Sequence, residues 1–200
     1  MASTAGKVQF GLSNVHFTPF VDETGSYDAT AKAMKGAVTM SLEPEGESST
    51  FNADNVAYFT TSKNSGYTGT LEVAYTEKEF LMEALGYEYD EETGLLLEFA
   101  DALPKPVAIT FEIDGNVNEQ GFVLYNVTFN RPSNEFNTTE DTVEPTTISL
   151  DFTAIGHEVT YKGKTRSVVK GVIENTTANS EKYQNFFTKV VVPTAAVPGA

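Results

Sequence analysis

Val107-Ala108-Ile109-Thr110-Phe111-Glu112-Ile113 is the stretch that decides the fold. Its large apolar side chains alternate with small or polar ones. Because successive side chains of a strand point to opposite faces, this pattern predicts a strand with one buried face. Two further stretches, 37–42 and 148–154, repeat it. Their predicted buried side chains are Val38, Met40, Leu42, Ile148, Leu150 and Phe152.

Further strands are predicted along most of the chain, with turns between them at Asn64-Ser65-Gly66 and Asp114-Gly115-Asn116. Strands 107–113 and 121–130 are separated by a short polar segment, which only antiparallel neighbours allow. The sequence therefore predicts a mainly β fold, an antiparallel β-sandwich or barrel, in a single domain over residues 1–200. The additional strands are expected at 7–12, 14–18, 67–75, 121–130, 166–173 and 187–192.

One short α-helix is predicted at 77–85. Thr76 and Glu79 have the spacing of a capping box, and Gly86 stands where a glycine commonly ends a helix. Four apolar residues at helical spacing should lay one face of this helix against a sheet, namely Phe80, Leu81, Ala84 and Leu85. A second helix is indicated at 181–186.

Two stretches do not fit a simple strand pattern. Residues 43–66 are polar with scattered aromatic residues, and this long excursion indicates an ordered arm that packs on something. Residues 131–147 are rich in Thr, Asn, Glu and Pro and are expected to form an exposed loop. Residues 194–200 are expected to be a flexible tail.

The composition excludes a protein that grips nucleic acid. The chain has 28 acidic and 13 basic residues, a formal net charge of −15 and a pI near 4.4, so it should repel phosphate. There is no Cys, and the first residues have neither the basic start nor the apolar run of a signal peptide. No apolar run is long enough to span a bilayer. A soluble protein folded in a reducing cytoplasm is expected.

The residues that carry chemistry are sparse. The chain has two histidines and no cysteine, and His157 is expected in an exposed loop. Asp90-Glu91-Glu92 and the segment around Asp54-Asn55 offer oxygen ligands without the spacing of a calcium loop. A pair of catalytic carboxylates of the glycosidase type is not ruled out by the sequence, because such a pair is defined by the distance between the two groups in space. We expect no catalytic, cofactor or metal site, and no enzyme.

Several blocks of the sequence resemble a known family. Ser41-Leu42-Glu43-Pro44-Glu45-Gly46-Glu47, then Phe51-Asn52-Ala53-Asp54-Asn55, then residues 65–73 look like the major tail protein family of siphophages that infect Gram-positive bacteria. Residues 10–16 and 181–193 are similar to that family's first strand and C-terminal segment. The resemblance covers nearly the whole chain in order.

This resemblance implies a β-sandwich flanked by a helix, with six subunits closing into rings that stack into the tail tube of a virion assembled in the host cytoplasm. Its partners would be further copies of itself and the tape measure, tail terminator and distal tail proteins, with no membrane. DNA would pass through the channel without specific binding. The excursion at 43–66 resembles the family's arm, which reaches a neighbouring subunit or ring. Its contact residues would be Glu43, Glu45, Glu47, Phe51, Asp54, Asn55, Tyr58 and Phe59.

The amphipathic strands suggest which side chains would line such a channel. The polar faces of these strands carry Thr, Ser and an occasional acid, and the lumen candidates are Glu43, Glu72, Glu112 and Asp151. The same faces could equally look outward to solvent. The alternative interpretation of the whole chain is a secreted or surface-displayed β-sandwich that serves as a binding or adhesion module.

Overall fold

The computed structural model describes residues 11–21, 26–53, 56–114, 119–134 and 146–193. The strands are β1 (Leu12–Val21), β2 (Ser26–Tyr27), β3 (Lys32–Ala33), β4 (Ala37–Ala53), β5 (Val56–Val73), β6 (Glu88–Tyr89), β7 (Leu96–Leu97), β8 (Val107–Ile113), β9 (Gln120–Phe129), β10 (Ile148–Ile155), β11 (His157–Tyr161), β12 (Lys164–Val168) and β13 (Lys170–Glu174). The helices are α1 (Lys78–Ala84) and α2 (Ser180–Phe186).

One large antiparallel sheet dominates the fold, in the order β2-β1-β8-β9-β10-β5-β4. Strand β13 pairs with residues 120–124 of β9, whereas β10 pairs with residues 127–129 of the same strand. Strand β3 pairs with β1. Two small sheets, β11-β12 and β6-β7, are separate from it. The predicted mainly β, antiparallel, sandwich-like fold is confirmed, as is the antiparallel pairing of β8 with β9.

The main core lies between the inner face of this sheet and helix α1. Phe80 of α1 contacts the rings of Phe17 and Phe129 edge-on, at centroid distances of 5.3 and 5.1 Å. Burying each such side chain contributes roughly 1.5–3 kcal/mol. Strands β1 and β4, at opposite sides of the sheet, contact each other, so the sheet curls around this core.

A second, smaller cluster lies on the other face of the sheet. Helix α2 places Tyr183, Phe186 and the following Phe187 over Val123 and Tyr125 of β9. Because α2 sits over β8 and β9, the outer face of this part of the sheet is covered. Both predicted helices therefore form, and each covers a different face.

The boundaries of α1 agree with the predicted helix at 77–85, but its cap does not. Glu77 is the N-cap residue and no side chain caps the helix, so the proposed capping box of Thr76 and Glu79 is wrong. Glu79 still places a negative charge in the first turn, where the helix dipole favours it. The end is as predicted: Gly86 has φ +76°, and the Tyr87 N–H donates to the Leu81 carbonyl.

Several predicted segments require correction. Asn64-Ser65-Gly66 lies inside β5 and forms no turn, and residues 43–53 and 56–66 are strand. The predicted strand 187–192 is irregular chain after α2, because the aromatic residues at the end of α2 pack into the second cluster. The predicted strand 166–173 is interrupted at Val169. Parts of four predicted segments lie outside the described part of the chain. They are residues 7–10 of the first predicted strand, 115–116 of the predicted turn, 135–145 of the predicted loop, and the predicted tail at 194–200.

A register shift in β4 changes which residues face the core. Val38, expected to be buried, is 50% exposed, because the pairing with β5 shifts between Ala37 and Thr39. Ala37 packs against the core in its place, followed by Met40 and Leu42. A bulge of this kind inserts one extra residue and leaves it unpaired.

Candidate assembly surfaces

Strands β4 and β5 continue far beyond the main sheet as a two-stranded ribbon. Strand β10 pairs with β5 only from Gly66 to Val73. Residues 46–65, which we call the ribbon, pair with no other strand in the described part of the chain. This ribbon occupies the segment that the sequence analysis identified as an arm.

Two glycines lie where the ribbon leaves the sheet. A Cβ at Gly46 would lie 2.1 Å from the Lys63 carbonyl oxygen, and one at Gly66 would lie 2.3 Å from the Ala154 carbonyl oxygen. The register also shifts between Glu45 and Gly46. Because only glycine allows backbones to approach so closely, these positions fix how the ribbon departs.

The tip of the ribbon exposes large apolar side chains. Val56, Tyr58 and Phe59 are 66%, 79% and 61% exposed. Single exposed apolar residues are ordinary, but a group on one projecting element marks an interaction surface. Phe51 lies opposite Phe59 in the strand register. Asp54 and Asn55 of the predicted arm lie outside the described residues.

The three glutamates of the arm follow each other along β4. Glu43, Glu45 and Glu47 are all exposed, and their spacing of two residues places them on one face of the strand. Lys63 lies opposite Glu47 in the register. Among the described residues, none of these glutamates forms an ion pair within the chain.

The outer face of β4, β5 and β10 is polar and acidic. Three rows of directly paired residues run across these strands, and they contain three of the four lumen candidates, Glu43, Glu72 and Asp151. The Thr70 hydroxyl donates to Asp151 Oδ1 at 2.6 Å, and the Thr39 hydroxyl donates to Glu72 Oε2 at 3.2 Å. The rows are Thr39–Glu72–Ser149, Ser41–Thr70–Asp151 and Glu43–Thr68–Thr153. We call these nine positions the acidic face; they include no Lys or Arg.

The fourth lumen candidate, Glu112, has a different environment. The Tyr183 hydroxyl of α2 donates to Glu112 Oε1 at 2.6 Å, and Asn14 Nδ2 donates to Oε2 at 3.4 Å. Burial, and then the hydrogen bond to this carboxylate, raise the pKa of Tyr183 well above its usual value. The structure therefore places Glu112 at the attachment of α2, apart from the acidic face.

His157 differs from its sequence-based expectation. It begins β11 and contacts the rings of Phe20, Tyr27 and Tyr125, whereas an exposed loop position was expected. Burial lowers the pKa of His157. These rings fix the base of the β11-β12 hairpin to the body of the protein.

The β11-β12 hairpin is a surface that sequence analysis missed. Its turn is Lys162-Gly163, with φ of +51° and +73°, the conformation of a two-residue hairpin turn. Lys162, Lys164 and Arg166 are exposed on it. The sequence does contain a pattern that predicts this hairpin: the pair Lys162-Gly163 lies between two segments of alternating residues, 157–161 and 164–168.

The described residues contain no group of three or more His, Asp or Glu arranged to hold a metal ion. Asp90 of the acidic run instead organises a turn: it accepts hydrogen bonds from the Thr93 hydroxyl and the Glu92 N–H, which lower its pKa. Within the same residues, every helix is too short or too polar to cross a bilayer.

Comparison with known proteins gives no family. No family model matches the chain, and no curated protein matches it. Among solved structures, the anti-feeding prophage cap, described as the tube terminating cap, aligns with 87% of this chain and 99% of its own, with a TM-score of 0.43 and 10% sequence identity. We draw no functional conclusion from a similarity at this level.

Proposed function

We propose that this chain is a virion structural protein of a long-tailed, non-contractile phage, which assembles into stacked hexameric rings that form the tail tube and catalyses no reaction. The exposed apolar tip of the ribbon is the observation that carries the proposal. The blocks that resemble siphophage major tail proteins support it, because residues 41–47 and 51–55 include much of the first ribbon strand and residues 65–73 begin where the second ribbon strand rejoins the sheet. The tape measure, tail terminator and distal tail proteins would complete the tail.

The ribbon supplies the contact that assembly needs. Tyr58 and Phe59 gain little by facing water, and burial against a neighbouring subunit would remove their apolar surface from solvent. A head-to-tail contact, in which a projecting element of each copy meets a different surface of the next, is heterologous. Such contacts close into rings when the rotation allows, and they stack rings when they act along the axis.

The acidic face supplies a channel wall suited to DNA. Six subunits at −15 each give a formal −90 per ring, and the acidic face offers phosphate no cation. DNA is gripped by Lys and Arg, so this wall would let it pass without sticking. The repulsion would act near the wall, because exposed charges are screened beyond about 8 Å at physiological salt. In this proposal Glu43, Glu72 and Asp151 line the channel.

A shortened ribbon tests the proposal. Glu47 and Lys63 are directly paired, so replacing residues 48–62 by Asn-Gly should close a two-residue turn and leave the core strands intact. We expect purified wild-type protein to form tubes in negative-stain electron microscopy, and the shortened variant to remain a folded subunit with an unchanged denaturation midpoint.

A matched pair of substitutions separates the tip from general surface effects. Tyr58→Ser with Phe59→Ser removes two exposed apolar side chains from the ribbon; Tyr75→Ser with Leu103→Ser removes two from elsewhere, where they are 51% and 79% exposed. Only the first pair should abolish tubes. If the shortened ribbon still gave tubes of normal stability, the role of the ribbon would be wrong. Compact particles from the wild type would favour a binding module instead.

A further inference from the structure

The β11-β12 hairpin concentrates positive charge in a strongly acidic chain. Lys162, Lys164 and Arg166 lie within five residues of one another and are all exposed, in a protein with 13 basic residues and a net charge of −15. None of the three forms an ion pair within the described residues. The Lys162 ammonium lies 5.3 Å from the centre of the Tyr161 ring, next to it in the turn.

The backbone of this hairpin sets the spacing of its basic residues. Lys164 and Arg166 are two residues apart on β12, so they share one face of the hairpin at a spacing of roughly 7 Å. Glu158 pairs with Ser167, which places it on the opposite face, where it does not neutralise them. The ring contacts of His157 attach the base of the hairpin to the body of the protein.

Strand β4 carries the complementary pattern at the base of the ribbon. Glu45 and Glu47 are also two residues apart on one strand face, at the same spacing of roughly 7 Å. Lys63 is the one cation opposite them in the described register, and it forms no ion pair with Glu47. Strand β4 is also the last strand of its sheet, so its outer edge has no strand partner in the described part of the chain.

We infer that the β11-β12 hairpin of one copy docks on strand β4 of a second copy at the base of the ribbon, with Lys164 and Arg166 opposite Glu45 and Glu47. This contact rests on the proposed self-assembly and adds to it a charged contact at the base of the ribbon. The equal spacing lets both ion pairs form together, and the opposite charges disfavour contacts between like surfaces. Because the two surfaces belong to different elements, a head-to-tail repeat of this contact propagates from copy to copy.

A charge swap within one chain tests the contact. Lys162→Glu, Lys164→Glu and Arg166→Glu together should lower the yield of tubes at least about tenfold, and so should Glu45→Lys with Glu47→Lys. Combining all five substitutions in one chain should restore tubes. The control is Lys35→Glu, Lys105→Glu and Lys182→Glu, which changes the net charge equally at exposed positions elsewhere and should leave assembly unchanged.

A crosslink gives a second readout that does not depend on finished tubes. Because the chain has no cysteine, Glu47→Cys with Lys164→Cys introduces the only two thiols. Oxidation should join different subunits through this pair, whereas Glu47→Cys with Lys105→Cys should stay monomeric on a denaturing gel. Circular dichroism of each variant confirms folding.

The outcomes separate the two proposals. The docking contact would be overturned, and the proposed function left intact, by three results together. The wild type forms tubes, the chain with all five substitutions assembles no better than the triple or the double variant, and positions 47 and 164 form no crosslink. A wild-type protein that never forms tubes would overturn the proposed function.

Discussion

The imidazole of His157 lies 5.7 Å from the ring of Phe20, 5.3 Å from that of Tyr27 and 6.3 Å from that of Tyr125, measured between ring centroids. Burial lowers its pKa below the ordinary value of 6.5. The unfolded chain therefore takes up a proton at a higher pH than the folded chain does. The stability that neutral His157 contributes is complete above pH 6.5 and is lost as the pH falls below it.

His157→Phe should make unfolding less sensitive to acid. Between about pH 7.5 and about pH 5.5, the wild type should lose more free energy of unfolding than the variant does, because only the wild type protonates here. Urea denaturation at each pH measures this. Thr160→Ala, at an exposed position of the same strand, should retain the wild-type slope; an identical slope for His157→Phe would contradict the assignment.

Single residues show why the sequence pattern misleads locally. Alternation predicted that Val38 is buried in the core, but Val38 is the extra residue of a bulge. The position of a bulge depends on the pairing between β4 and β5, which the sequence of one strand does not reveal. His157 follows Gly156 near a strand end, and the sequence gives no sign of the rings that surround it. These rings come from β1, β2 and β9, remote in the chain.

At the scale of elements, α1 is the helix that closes the main core. Leu85 at its C-cap is fully buried, together with Phe80 and Ala84. Leu85→Ala should lower the free energy of unfolding by about 2–5 kcal/mol, because it removes buried methyl groups and leaves a cavity. Leu103→Ala is the matched control, since that side chain is 79% exposed and should change the midpoint little. An unchanged midpoint for Leu85→Ala would show that α1 does not pack as described.

An element could be predicted from the sequence when it buries an apolar face, because that face gives a recognisable pattern. Strand β8 was predicted at its observed boundaries because its apolar and polar residues alternate. The prediction that only one of its faces is buried was wrong, because Ala108 and Thr110 on the other face are buried as well. The ribbon was identified only as a polar arm, because its Thr and Ser residues give no apolar face to recognise. Its strands are visible only in the pairing of residues 46–53 with residues 56–64.

At the scale of the whole molecule, the two faces of the curled sheet have different roles. The inner face holds the core under α1, and the outer face is divided between the part covered by α2 and the acidic face. The sequence predicted four acids on the polar sides of strands, and the fold brings three of them onto neighbouring strands. Glu112 lies apart because α2 contacts it, a long-range contact that strand alternation does not encode.

The central claim is that this subunit builds a tube with an acidic channel, and a cryo-EM reconstruction of the purified, assembled chain tests it most directly. We expect stacked rings of six copies, with Glu72 and Asp151 facing the channel and with Tyr58 and Phe59 buried against another subunit. A chain that stays a compact single particle, or a channel lined mainly by Lys and Arg, would contradict the account.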